Sequence, residues 1–306
     1  FHTFPENDAW WGTGFTEWTN VRKGQMCFAG HYQPRVPHKN IGYYCLEDVN
    51  VLAQQAKLAK QHGIYGFCFY YYWFSGKRLM EKPVDLLLEH PEIDISFCFC
   101  WANENWTRRW DGAEEDILIR QEYRDVDDEN FIRDMQKYLE DARYIRINGK
   151  PLIVVYNPWQ MPNRRKSFLT WREVARELGI GEILIWTCQT WQQNAKTLDI
   201  EDVVDAEVEF PPHNVGGDAI TIFDLPLNSD TAILYDYNKA VDCVVGQWYL
   251  GKSGKLPVHY SCMLAWDNAA RRKEGWHAFY HFSLWDLHRW VTTAVKLSCA
   301  RLKPEE

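Results

Sequence analysis

Six short apolar runs decide most of what this chain can fold into: Ile64 to Tyr71, Ile95 to Trp101, Leu152 to Tyr156, Ile183 to Cys188, Val203 to Val208 and Val258 to Leu264. Each is nearly continuous in apolar character rather than alternating, the pattern of strands covered on both faces in a parallel sheet. Helical stripes separate several of them. Val49, Leu52, Ala56 and Ala59 keep a spacing of three to four, and Gly63 follows as a stop. Phe131, Met135, Tyr138 and Leu139 form a second stripe, and Val174, Ala175 and Leu178 a third. Leu284, Leu287, Val291, Ala294, Val295 and Leu302 form the last. Strands alternating with helices predict a parallel α/β architecture.

An open doubly wound sheet and a (β/α)8 barrel both satisfy that alternation. No Gly-rich phosphate loop follows any of the runs, which removes the main support for a nucleotide-binding sheet. Polar and aromatic residues gather after strand after strand instead: Tyr70-Tyr71-Tyr72-Trp73, Trp101-Ala102-Asn103-Glu104, Gln189, Glu209 and Trp266-Asp267-Asn268. Functional groups supplied by many strand ends are what the C-terminal face of a barrel looks like. The expected fold is a (β/α)8 TIM-type barrel. Six legible strands, a start in a polar loop and an end just after a helix make residues 1–306 a single barrel domain, read as a fragment lacking the first and last strands. Residues 211–257, punctuated by Pro211-Pro212, Gly216-Gly217 and Gly251 to Gly254, read as a long irregular connection.

Composition excludes several partners. The net charge of −8 is spread over both signs without a basic stripe, so nucleic acid is not an expected partner. No apolar stretch approaches the length of a membrane span. The nine cysteines show no CxxC; Cys68, Cys98, Cys100, Cys188 and Cys262 fall in apolar runs and read as small buried thiols, favouring a reducing, cytoplasmic setting. No metal-ligand spacing, nucleophile elbow or cofactor loop is present, so no metal or cofactor is expected. Oligomeric state has no signature in the sequence.

The aromatic content does point to chemistry. The chain has 16 Trp, and Trp is seldom wholly buried. In the stretch CWANENWTRRWDG, residues 100–112, a strand ends in Trp101, Asn103, Glu104, Trp106, Arg109 and Asp111. Indole faces pack on the apolar faces of pyranose rings, while amides and carboxylates hydrogen-bond hydroxyls. Tyr72 and Trp73 offer an aromatic wall at the end of the first run, and alternation along a strand sends only half such rings inward. Glu207 and Glu209 share one side of a regular strand, and only Glu209 is expected to clear the rim. Trp266, Asp267, Asn268 and Arg271 repeat the vocabulary of the 100–112 stretch. Segments Trp10 to Trp18 and Gly30 to Pro34 lack either periodicity and read as a shaped loop over the face, with Glu17 and His31 as its polar candidates. Several carboxylates on an aromatic-rich barrel face are the equipment of glycoside chemistry.

ENDAWWGTGFTEWTNV, GHYQP, GIYGFCFYYYWFSGKRLMEKP, FCFCWANENWTRRWDG, RYIRINGKPLIVVY and AWDNAARR together resemble the glycoside hydrolase family 99-like, WbsX-type proteins. The resemblance spans almost the whole chain. It implies a (β/α)8 barrel acting on a complex glycan, with a strand that leads into Pro-Gln-Phe-His, of which Phe1-His2 is the tail, and a later Glu-x-x-Glu-like segment beyond Leu302. In family 99 hydrolases such a pair does the chemistry, one Glu deprotonating the sugar 2-hydroxyl and the other serving as general acid/base. The expected activity is hydrolysis of an α-linked glycan, with Glu104, Glu209 and Asp267 as the catalytic candidates in this chain and the remaining residues above binding substrate. The resemblance implies that the main catalytic pair lies in the later segment and that the motifs present, Glu104 included, mainly bind substrate. Glycosyl transfer and non-catalytic glycan binding stay open beside it.

Overall fold

The structure, a computed structural model, describes residues 3–108, 113–251 and 254–301. In chain order the helices are α1 (Pro5–Trp11), α2 (Glu17–Arg22), α3 (Val49–Gln61), α4 (Lys82–Glu89), α5 (Asp125–Leu139), α6 (Arg164–Glu177), α7 (Tyr237–Leu250) and α8 (Leu284–Arg301). The strands are β1 (Gly66–Phe74), β2 (Lys77–Leu79), β3 (Ser96–Trp101), β4 (Trp106–Arg108), β5 (Ala113–Ile119), β6 (Arg146–Ile147), β7 (Lys150–Val155), β8 (Leu184–Gln189), β9 (Ala206–Glu209), β10 (Ile233–Asp236), β11 (Val258–His259) and β12 (His277–Tyr280).

All six apolar runs carry strands, and those strands lie side by side in the order of the chain. β1, β3, β7, β8, β9 and β11 form one parallel series, with β2 and β6 added antiparallel. A doubly wound sheet reverses its strand order at a switch point; this series has no reversal. Among the described residues the series is not closed into a ring, and β10 pairs β12 in a separate parallel ribbon. The architecture is therefore a parallel α/β sheet wound in one direction, without a demonstrated closed barrel.

Alternation along each strand sorts side chains into two layers. On β1 and β3, Tyr71, Trp73, Phe99 and Trp101 face the helices: Trp101 lies 4.6 Å from Phe131 of α5 and 5.7 Å from Trp171 of α6, measured between ring centroids. These residues belong to one core cluster with Leu52, Ala56, Met135, Tyr138 and Phe168. The other parity, Cys68, Tyr70 and Tyr72 on β1 and Cys98 and Cys100 on β3, faces the opposite side. Cys98, Cys100 and Cys188 are buried as expected, but Cys68 is exposed and Cys262 only partly covered.

Three further expectations change. Residues 211–257 are not an irregular connection: they contain β10 and the fourteen-residue α7, started by Asp236, whose Oδ1 accepts the Lys239 amide at 3.1 Å. Ala240, Val241, Val244, Val245 and Trp248 of α7 build a second core with Trp290 of α8. The N-terminal segment also holds regular structure, since Trp10 and Trp11 end α1 and Glu17 begins α2. The last run is mostly loop, with only Val258 and His259 in a strand.

Candidate active-site cleft

A cleft of about 650 Å³ opens where the C-terminal ends of β1, β3, β7 and β9 meet the β10–β12 ribbon. Strand parity delivers its floor. Tyr70 and Tyr72 from β1, Ala102 and Glu104 beyond β3, Tyr156 beyond β7 and Phe210 beyond β9 all take the side opposite the helices. Trp106 of β4 closes one flank and packs edge-on against Tyr72 at 5.2 Å. Trp266, Asn268 and Arg271 close the other.

Glu104 is the carboxylate that the described residues bring to this cleft. Its Oε1 accepts the Asn157 side-chain amide at 2.7 Å. The Thr190 hydroxyl donates to Asn157 Oδ1 at 2.9 Å, which turns the amide NH2 toward Glu104. Asn103 secures the same residue through the main chain: Asn157 N donates to Asn103 Oδ1 and Asn103 Nδ2 donates to the Asn157 carbonyl, each at 2.8 Å. The Tyr123 hydroxyl donates to the Asn103 carbonyl at 3.0 Å. Asn103, Asn157 and Thr190 have no exposed surface. A buried network satisfied in this way sets one orientation for the group it carries.

Asp267 stands behind the opposite wall, out of the cleft. Its Oδ2 accepts His31 Nε2 at 2.9 Å and Gln33 Nε2 at 2.7 Å, with Arg35 Nε at 3.4 Å, while Oδ1 accepts the Ala269 amide at 3.0 Å. His31 Nδ1 accepts the Cys27 amide at 3.1 Å, so Nε2 is the nitrogen that carries the hydrogen toward Asp267. Burial pushes the Asp267 carboxyl up, but the hydrogen bonds from His31, the Ala269 amide and Gln33 outweigh it and hold it below the usual range. His31 stacks on Phe28 with ring centroids 4.4 Å apart. Asp267 and His31 thus pin the N-terminal segment to the loop that carries Trp266 and Asn268. Glu17 does similar work further along the same loop, accepting Arg271 Nε at 2.8 Å.

The candidates divide accordingly. Tyr72, Glu104, Trp106, Trp266, Asn268 and Arg271 line the cleft; Glu17 holds Arg271 directly, Asn103 holds the Asn157 that bonds Glu104, and His31 and Asp267 fix the loop that carries Trp266 and Asn268. Trp73 and Trp101 sit in the helix layer, 1% and 3% exposed, because their parity is opposite to that of Tyr72 and Ala102. Glu209 shares the helix-facing parity of Glu207 and points away from the cleft. Its Oε1 accepts Trp248 Nε1 of α7 at 2.7 Å and its Oε2 accepts the Ser261 amide at 3.0 Å. Arg109 and Asp111 lie outside the described residues. Sequence reasoning passed over Asn157, Thr190, Trp191, Tyr156 and His213; the Tyr156 hydroxyl and His213 Nε2 lie 3.0 Å apart in the cleft. A polar residue directly after a strand run was the available signal for Asn157 and Thr190.

Comparison with known proteins agrees with this architecture. The structure resembles a solved glycoside hydrolase-like protein with a TM-score of 0.57 at 15% identity, covering 92% of this chain and 86% of that one. It also resembles the GH99 endo-alpha-mannosidase from Bacteroides thetaiotaomicron, with a TM-score of 0.53 at 12% identity over 84% of this chain and 66% of that one. Such identities speak for a shared fold. In sequence, the chain is 36% identical over 298 residues to the protein named "Uncharacterized protein WxcX" of Xanthomonas campestris pv. campestris strain B100, and 42% identical over 231 residues to its counterpart in strain ATCC 33913. It spans 42% and 32% of the lengths of those two relatives. The family model described as "Glycosyltransferase WbsX" matches residues 1–306, so the chain belongs to the WbsX family.

Proposed function

We propose that this chain supplies the glycan-binding cleft of an enzyme that breaks an α-linked glycan by carboxylate acid/base chemistry. The observation that carries this reading is Glu104, aimed by the buried Asn157–Thr190 pair into a cleft walled by Tyr72, Trp106 and Trp266. Aromatic faces bind the apolar faces of sugar rings, and an oriented carboxylate handles the proton that a departing glycosidic oxygen needs. Glycoside cleavage ordinarily uses two carboxyl groups. Glu104 is that carboxylate among the described residues lining the cleft, and the second acid is assigned to a residue outside them. The likeness in fold to glycoside hydrolases supports the reading.

Glycosyl transfer is the second reading, favoured by Arg271 and Arg272 beside Trp266, where cations suit the diphosphate of an activated sugar. The family description points the same way. Incubating the full-length protein with α-linked oligosaccharides in 18O-water separates the two. Hydrolysis releases new reducing ends carrying the label; transfer leaves the oligosaccharides intact until a nucleotide sugar is added. Turnover unchanged in Glu104→Gln under either condition removes Glu104 from the chemistry.

A further inference from the structure

A second groove, of about 860 Å³, lies against the outer side of the cleft wall made by Trp191, Pro212 and His213. Its other lining groups are mostly side-chain amides, including Gln192, Gln247 and Asn214. No carboxylate, ammonium or guanidinium is among its described lining residues, and His213 is the one side chain there that could carry a positive charge. Amides both donate and accept, which suits the hydroxyls of a neutral sugar. The Gln192 and Gln247 side-chain amides are exposed and make no hydrogen bond among the described residues.

The backbone at the wall is held in a costly shape. Trp191 and Gln192 take φ of 45° and 61°, and Asn214 takes 62°, the left-handed region that non-glycine residues avoid. Two bonds hold this crossing: the Gln192 amide donates to Asn214 Oδ1 at 2.9 Å, and Asn214 Nδ2 donates to the Gln189 carbonyl at 3.2 Å. The result is an indole, 45% exposed, standing on the ridge shared by cleft and groove. Backbone strain of this kind clusters at functional sites, and an exposed indole between two hollows is placed to stack on a sugar ring.

We infer that the groove is a second binding site for a neutral glycan, contiguous with the cleft across Trp191, so that the ligand is an oligosaccharide long enough to occupy both. This rests on the reading of the cleft as a glycan site. The test uses the full-length protein and ladders of α-linked gluco- and manno-oligosaccharides, from disaccharide to hexasaccharide, with affinity read by calorimetry for the wild type, Glu104→Gln and the double variant Gln192→Ala/Gln247→Ala. The expected result is affinity that climbs with length in the wild type. The double variant loses about tenfold for the longest members and nothing for the disaccharide, as expected when about two hydrogen bonds to a distal unit are removed. A wild type that binds disaccharide and hexasaccharide equally, or a double variant that keeps the climb, overturns the groove and leaves the cleft standing. A wild type that binds no member of either ladder overturns both readings.

Discussion

Asn157 reaches across from the end of β7 and donates its side-chain amide to Glu104 at the end of β3, over 2.7 Å. The two residues are 53 positions apart, yet parallel pairing of β3 with β7 makes their strand ends neighbours. Removing the amide should therefore act on catalysis through orientation. Asn157→Ala is expected to lower turnover roughly 10- to 100-fold. It also takes a buried acceptor from Thr190, at about 1–3 kcal/mol of stability. Asn157→Asp places a second carboxyl against Glu104, and like charges at that distance favour sharing a proton. The pH–rate profile of that variant should move upward, and an unmoved profile would show that Glu104 does not titrate in the reaction.

The same substitution at two glutamates should have opposite consequences. Glu104→Gln in the full-length protein is expected to lose about 10²–10⁴-fold in turnover with little change in unfolding temperature. Glu209→Gln should keep its turnover. Its new NH2 can face only one of Trp248 Nε1 and the Ser261 amide, both donors, so about 1–3 kcal/mol of stability is expected to go. Parallel thermal unfolding and kinetics decide the pair; a catalytic loss in Glu209→Gln at unchanged stability contradicts its placement in the helix layer.

Tryptophans divide in the same way. Trp73→Ala and Trp101→Ala remove fully packed rings and should cost about 3–5 kcal/mol each in denaturant unfolding. Trp191 and Trp266 are 45% and 39% exposed. Their alanine variants should unfold nearly as the wild type does, while glycan affinity falls about 2- to 10-fold, the range for one lost ring contact. Equal destabilisation across all four would refute the division.

Acid should loosen the wall behind Trp266. The folded Asp267 carboxyl is held below its ordinary value, so the unfolded chain binds that proton more readily than the folded one. Its contribution is then fully present above about pH 4, the unfolded carboxylate range, and is lost as pH falls through the lower folded value. Asp267→Asn should cost about 2–3 kcal/mol near neutrality, since its NH2 meets donors from His31 and Gln33. The gap between wild type and variant, read by denaturant unfolding at a series of pH values, should narrow in acid. A gap independent of pH contradicts an ionised Asp267.

The strand series was legible because each run is apolar on both faces, and a doubly covered strand leaves that mark regardless of its neighbours. Which half of each run meets the cleft was not. Tyr72 and Trp73 are adjacent aromatics of similar chemistry, and only the packing of Trp73 on Phe131 of α5, at 5.5 Å, assigns one to the helices and frees the other. That choice propagates along the pairing to Trp101, Ala102 and Glu104. The same parity, once set, takes Glu209 out of the cleft. α7 carried a readable stripe in Val241, Val244, Val245 and Trp248, but glycine and proline clusters on either side drew the segment toward a loop. β10 is four residues long, too short for any period to declare itself.

The His31–Asp267 contact joins positions 236 residues apart. Loop-closing contacts of that span form late, because the chain entropy they cost must first be offset by nearer pairings. On the ribosome the N-terminal segment emerges first, yet it has nowhere to dock until the loop around Asp267 has also been made. The parallel series from β1 to β9 can assemble meanwhile with its rim open. A nascent or C-terminally cut chain is therefore expected to expose the aromatics of the cleft floor without the wall opposite them, with the N-terminal segment docking last.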